Sequence, residues 1–391
     1  MRYKLIILII AVIMTIPFWD VYAEGESTDT ESVLSDYSDI YGEMFETQLG
    51  ASGAFSDIVP DFNARDILKQ LNSGDFSVSP RELVQYILKL LLGEVYDGAR
   101  LMALVLAMSV LSSYLSGLKS GFGGEAVADC AFYACYTVIS GIASAAFYEA
   151  AVCATQTIEN IAVFMRFIVP VIVTALLTGG AAVSAATLEP TLLAIVEVAV
   201  WVIEVVFIPA VMISTALNIV NGMSDKFKTD KMVKLLNSAV KWGLSIMLTV
   251  FVSLAGLKSI ASAGADGLAI KLSKFAASNL IPMVGGILAE SVETVMNCSV
   301  VIKNSVGILG IICLVLIALR PVLKLGALLI LFRITAAVAE PVSEPKLITC
   351  ISRLGDSVSV LFSMIAAVTV MFIIVTTIMI NAGSSAAVLG R

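Results

Sequence analysis

Histidine is absent from all 391 positions. Its absence removes Ser-His-Asp and Cys-His catalysis, HExxH zinc sites and imidazole ligation from consideration. Charge is scarce as well: only 14% of the residues are Asp, Glu, Lys or Arg, against about 25% in an ordinary soluble domain. The six cysteines, Cys130, Cys135, Cys153, Cys298, Cys313 and Cys350, include no CxxC pair. Small apolar packing is their simplest role, and a zinc or redox centre is disfavoured. There is no P-loop, so the chain has no ATPase of its own, and no GxGxxG in a strand-to-helix context. No internal repeat stands out, which weakens a two-fold inverted-repeat transporter. Gly264-Ala265-Asp266-Gly267 resembles an aspartyl intramembrane protease motif, but a second aspartate inside a span is missing. These absences point away from an enzyme, a metal and a cofactor.

What is present is apolar. Hydrophobic residues make up 59% of the chain and the mean hydropathy is +0.97. That composition belongs to an all-α, polytopic helical membrane protein. The net charge of −7 is misleading as an average. Residues 24–99 carry 15 acids against four Lys/Arg, so the acidity sits in one segment. A nucleic-acid binder would need a basic face, and none occurs.

In chain order, Arg2 and Lys4 precede the apolar run Leu5 to Phe18, and Val21-Tyr22-Ala23 has the small residues of a cleavage site. Residues 1–23 read as a signal peptide cut after Ala23. Residues 24–82 read as an acidic extracytoplasmic arm, and 83–391 as a helical membrane domain of about six to eight spans. Within the arm, 61–72 predicts a short helix with Phe62, Ile67, Leu68 and Leu71 inward. Ser79-Pro80-Arg81-Glu82 is a helix start with Ser as N-cap, Pro at N1 and Glu closing a capping box. The helix Glu82 to Asp97 carries a stripe of Gln85, Lys89, Gly93 and Asp97, and fits either the membrane interface or the flank of the bundle.

Spans are expected at Leu101–Leu118, Ala126–Ala150, Ile161–Thr178, Thr191–Val220, opened by Glu189-Pro190, and Trp242–Ser262. A broken segment follows over Leu268–Ser305. Val306–Leu319 and Val322–Ala339 read as two helices or one kinked helix, and Val358–Ile380 is the last span. The topology conflicts with itself. Counting from an outside start puts Lys226, Lys228, Lys231, Lys234 and Lys241 outside, whereas the positive-inside bias puts them in the cytoplasm. Either one span is re-entrant or the linker is a surface helix.

From Lys274 to Pro341 the apolar pattern is punctuated by Pro282, Gly285-Gly286, Lys303-Asn304 and Arg320-Pro321. Broken backbone in a bilayer survives only where protein or a water-filled cavity satisfies it. Within this stretch Phe275, Ile281-Pro282, Gly285-Gly286, Thr294-Val295, Ser299, Lys303-Asn304, Val306-Gly307, Gly310, Pro321, Lys324, Ala336-Ala337 and Pro341 resemble the stage III sporulation protein AE family. The resemblance extends more weakly over nearly the whole chain. It implies a mother-cell protein in the membrane surrounding the engulfed forespore. It also implies membership of a channel or secretion-like complex with an ATPase and ring-forming proteins, needed for late forespore gene expression. The rival reading is a stand-alone secondary transporter with a substrate site at its broken helices.

The candidate residues form two sets. Glu197 and Glu204, seven apart on one helix face, read as a relay or conduit lining, or as structural partners of Arg166, Lys258 or Arg320. Glu290, Glu293, Asn297 and Asn304 form a polar stripe after Pro282 and Gly285-Gly286. The stripe reads as a passage lining, a docking face or a solvated face at the interface. Lys303, near a helix end, is expected to snorkel to the headgroups.

Overall fold

The computed structural model describes residues 80–117, 125–223, 229–280 and 285–382, together with positions 40, 42–44, 47 and 66–68. Within these, the side chains of 80–84, 86, 115–117, 125–129, 263 and 270–298 are outside the description. The expected signal peptide and most of the expected acidic arm, including Phe62 and Leu71, likewise lie outside the described residues. The described chain is helical throughout: α1 (Pro80–Gly117), α2 (Glu125–Thr178), α3 (Ala182–Val202), a π-helical turn (Ile203–Phe207), α4 (Ile208–Met223), α5 (Asp230–Leu280), α6 (Gly285–Ala339) and α7 (Pro345–Asn381). Counting α3 to α4 as one, six stretches are long and apolar enough to cross a membrane.

Several expected boundaries are absent. The helix Glu82 to Asp97 and the span Leu101–Leu118 are one element, α1. Ala126–Ala150 and Ile161–Thr178 are likewise one helix of 54 residues. The polar run between them, Thr155 to Asn160, contains no Gly or Pro. Its threonines bond back into the helix, Thr155 Oγ1 to the Ala151 carbonyl at 3.0 Å and Thr157 Oγ1 to that of Cys153 at 2.6 Å. Polarity alone does not end a helix; a missing donor or a left-handed residue does. Such a stop follows Thr178, where Gly180 takes φ 80°, a conformation that costs glycine little.

The next helix starts at Ala182, not at Glu189-Pro190. Ala181 has no capping side chain. Asp266 of α5 supplies the cap instead, accepting from the backbone N–H of Val183 at 2.8 Å and of Ser184 at 3.0 Å. The π-helical turn precedes Pro209. Proline has no N–H for the Val205 carbonyl, and the widened turn closes with the Ile208 N–H on the Ile203 carbonyl.

Lys231, Lys234 and Lys241 lie exposed on α5, continuous with the span that follows. Farther on, α5 ends at Leu280 and α6 begins at Gly285, so Pro282 falls outside the described residues. Lys303-Asn304 and Arg320-Pro321 do not interrupt the chain: α6 runs unbroken through both.

Helices α2, α6 and α7 form the centre of the bundle. α1 packs on α2 and α6, whereas α3, α4 and α5 cover the opposite flank. The largest fully buried side chains include Tyr136, Ile158, Ile161, Met165, Ile168, Phe332 and Phe372. At Gly307, α6 and α7 are in close contact; a Cβ there would stand 2.2 Å from Ile380 Cγ1. Leu68, from the expected short arm helix, is fully buried in this core and Ile67 packs against it.

Candidate functional site

Charged residues are the informative ones here, because a charge in an apolar bundle must be paired, hydrated or covered. Five of them meet in one cleft of about 430 Å³ between α1, α2 and α6. α1 contributes Glu94, Asp97, Gly98 and Leu101; α2 contributes Ala146, Glu149, Ala150 and Cys153; α6 contributes Arg320, Pro321, Lys324, Leu325, Leu328 and Leu331. Helical spacing makes the cluster. Glu94 and Asp97 are three apart, and Arg320, Lys324 and Leu328 recur every four, so each set shares a face. Gly98 lets α1 close over α6, since a Cβ there would lie 2.5 Å from Leu331 Cδ1.

Two ion pairs cross the cleft. Lys324 Nζ is 2.6 Å from Glu149 Oε1, and Arg320 Nε is 3.6 Å from Glu94 Oε1. Glu94 is the sheltered member, with its side chain 17% exposed; Arg320 is 48%, Lys324 39% and Glu149 63% exposed. Asp97 is exposed and has no ion-pair partner among the described residues. The lining thus holds three carboxylates against two cations. A half-open site of this kind suits recognition of a charged group.

The residues singled out from sequence are dispersed. Glu197 pairs with Arg166, its Oε1 2.5 Å from Arg166 Nε and its Oε2 3.1 Å from Nη2. Of the three cations considered, Arg166 is the partner; Arg320 goes to Glu94. Glu204 sits half-buried in the π-helical turn, within electrostatic range of Arg166 but without an ion pair among the described residues. Lys303 is 1% exposed and donates to the Ala382 carbonyl at 2.6 Å, so it does not snorkel. Asn304 follows it with a buried Oδ1 that has no hydrogen-bond partner among the described residues. Gly285 and Gly286 are the first residues of α6, and the side chains of Glu290, Glu293 and Asn297 lie outside the described residues. Asp266 is fully buried and occupied by two backbone N–H groups of α3, a capping role.

Glu197, Glu204, Lys303 and Asn304, the expected site residues whose side chains are described, are not among the residues that line the cleft. Arg320-Pro321 and Lys324 had drawn notice only as punctuation and as part of the resemblance. The signal available in the sequence was the i, i+4 spacing of Arg320 and Lys324 inside an apolar helix, which calls for acidic partners.

A family model described as stage III sporulation protein AE matches residues 62–383. The chain belongs to that family. The match runs through α1 to α7 and includes every residue of the cleft. A relative described as stage III sporulation protein AE, from Bacillus subtilis (strain 168), is 28% identical over 330 residues, covering 84% of this chain and 82% of the relative. No solved structure matches. The family is thus a sporulation family, and its member here is a multi-pass helical protein with six candidate membrane-spanning stretches.

Proposed function

We propose that this protein is a membrane-embedded subunit of a sporulation complex that links mother cell and forespore. In this reading it sits in the mother-cell membrane around the forespore and works in a channel or secretion-like apparatus. It acts with an ATPase and ring-forming subunits to sustain late forespore gene expression. Membership of a stage III sporulation family supports the process. The observation that carries the molecular role is the half-open five-charge cleft between α1, α2 and α6 of an apolar bundle. Charges placed there are costly against lipid and useful against a subunit or a polar path. The functional centre is therefore the α1–α2–α6 cleft.

Orientation fits the same reading. With an outside start, three crossings (α1, α2, and α3 to α4) precede the lysine-bearing linker. It then lies on the cytoplasmic side, as the positive-inside rule asks. The earlier conflict arose from counting α2 as two spans.

The test removes one ion pair without stranding a charge. Glu149→Gln combined with Lys324→Met keeps shape while deleting both charges, an exchange that is often neutral for stability. The expected result is normal accumulation in the membrane with loss of heat-resistant spores and of late forespore gene expression. Wild-type sporulation by this double variant would overturn the cleft as the functional centre.

A further inference from the structure

We propose that the exposed face of α5 formed by Lys231, Lys234, Lys241 and Trp242 binds anionic phospholipids. The lysines meet the phosphate groups and the apolar residues between them meet the acyl chains. This surface is separate from the cleft, whose lining residues all belong to α1, α2 and α6.

Position is the first observation. From Trp242 to Leu257, between Lys241 and Lys258, α5 carries no charged residue. That uncharged stretch is about 24 Å long at 1.5 Å per residue. A lysine at each end can extend its side chain to the edges of a hydrocarbon core of about 30 Å. Lys241 therefore marks a boundary between hydrocarbon and headgroups, and Lys231 and Lys234 lie on the headgroup side of it.

The face itself is the second observation. Lys234 and Lys241 are seven apart, as are Leu235 and Trp242, so the two pairs run side by side along one helix face. Lys231 and Ser238 complete that face, and all six side chains are exposed, Trp242 by 71%. The opposite face, with Val233, Val240 and Leu244, is buried against the bundle. Ser245, Ile246 and Thr249 carry the exposed side onward into the span. Of the six candidate spans, the one formed by α5 is the least buried.

Charge is the third. None of the three lysines forms an ion pair with a described residue. Asp230, beside them on the helix, is occupied by Arg353 Nη2 at 2.7 Å and by Asn221 Nδ2 at 2.7 Å. The next acid along α5 is Asp266. An acidic protein segment would answer the lysines, yet it would leave Leu235, Trp242 and Ile246 without hydrocarbon. A second copy paired two-fold through this face would set lysines against lysines. An anionic phospholipid supplies a phosphate for the basic residues and acyl chains for the apolar ones, and tryptophan favours the depth at which the two meet.

The test reads Trp242 directly. Trp19→Phe and Trp201→Phe leave it as the one tryptophan of the full-length chain. This protein is reconstituted in vesicles of phosphatidylcholine and phosphatidylglycerol, with the acyl chains of one lipid or the other brominated to quench tryptophan fluorescence. Brominated phosphatidylglycerol should quench Trp242 with a preference of about fivefold over brominated phosphatidylcholine. That factor is the equivalent of roughly 1 kcal/mol, the contribution of one basic residue near an anionic surface. Changing Lys231, Lys234 and Lys241 together to Gln should bring the two lipids to parity, and changing all three to Arg should keep the preference. Equal quenching by both lipids before any lysine is changed, or a preference that survives the triple Gln change, overturns the proposal. Shielding of Trp242 from both lipids means that protein covers the face, and overturns it too. A preference abolished by inorganic phosphate, but not by chloride at equal ionic strength, would assign the lysines to free phosphate instead.

Discussion

Lys303 of α6 reaches across the bundle to the carbonyl oxygen of Ala382, just past the end of α7, at 2.6 Å. A helix leaves its last carbonyls without intrahelical donors, and here a fully buried ammonium satisfies one of the acceptors at that end. The contact ties the exit of α7 to the outer part of α6, where Gly307 lets Ile380 approach.

Lys303→Ala is expected to destabilise the folded protein. It strands a buried carbonyl, at a cost of about 1–3 kcal/mol, and opens space in a packed core. Lys303→Arg keeps the charge but changes the reach and should recover only part of the loss. Thermal unfolding of the detergent-solubilised protein measures both. An unchanged midpoint in the Ala variant would mean that the contact carries no net stability.

Asp266→Ala removes the cap of α3 and should cost about 1–2 kcal/mol, the usual range for a lost N-cap. Asp266→Asn retains an acceptor for one of the two N–H groups and should lose less. If the carboxylate only caps, the Asn variant sporulates normally. A sporulation defect in Asp266→Asn at full protein level contradicts the capping role.

Much of the architecture was readable because apolar runs of this length permit little but membrane helices. The all-α class and the burial of Leu68 follow from composition and spacing. Boundaries were less readable, and for physical reasons. Ala126–Ala150 and Ile161–Thr178 were expected as separate spans, yet backbone donors from Thr155 to Asn160 are all available and the threonines bond back into the helix. Pro190 marked a start, but the actual start depends on Asp266, a cap supplied from another helix. The cleft was hidden for the same reason. Glu149 and Lys324 are 175 positions apart, and nothing local says that their helices touch. Lys303 looked like a helix-end lysine because the continuity of α6 through it is a tertiary fact.

The Arg166–Glu197 pair separates a structural role from a conduit role. Both side chains are about half exposed on an apolar flank. Removing either charge alone leaves the other unpaired, worth about 2.5–3.5 kcal/mol at the centre of a span on insertion scales. Arg166→Gln and Glu197→Gln should each lower the amount of protein in the membrane. The double Gln variant, with no stranded charge, should recover most of it. Glu204→Gln breaks no ion pair among the described residues and should leave the amount unchanged. If the double variant accumulates no better than either single variant, the residues do not act as a pair.

The last expectation is orientation, and it follows from one contact as well as from charge counting. Arg353 Nη2 lies 2.7 Å from Asp230 Oδ1. The starts of α5 and α7 therefore occupy one end of the bundle. Lys231, Lys234 and Lys241 extend from that end along α5, Lys346 opens α7, and Lys226 and Lys228 fall in the preceding linker. Positive residues flanking spans collect on the cytoplasmic side, so this end is expected to face the cytoplasm. The opposite end carries the 179–181 turn and the exit of α7. Six crossings then return the C-terminus to the side of the acidic arm. In a variant with the six native cysteines replaced, a cysteine at Ser238 should react with an impermeant thiol reagent only after permeabilisation. One at Ser35 or Ser52, or in a tag after Arg391, should react in intact protoplasts exposing that membrane face. Labelling of Ser238 without permeabilisation would reverse the bundle and place the lysines outside. Opposite behaviour of Ser35 and the C-terminal tag would require an odd number of crossings and refute the six-helix count.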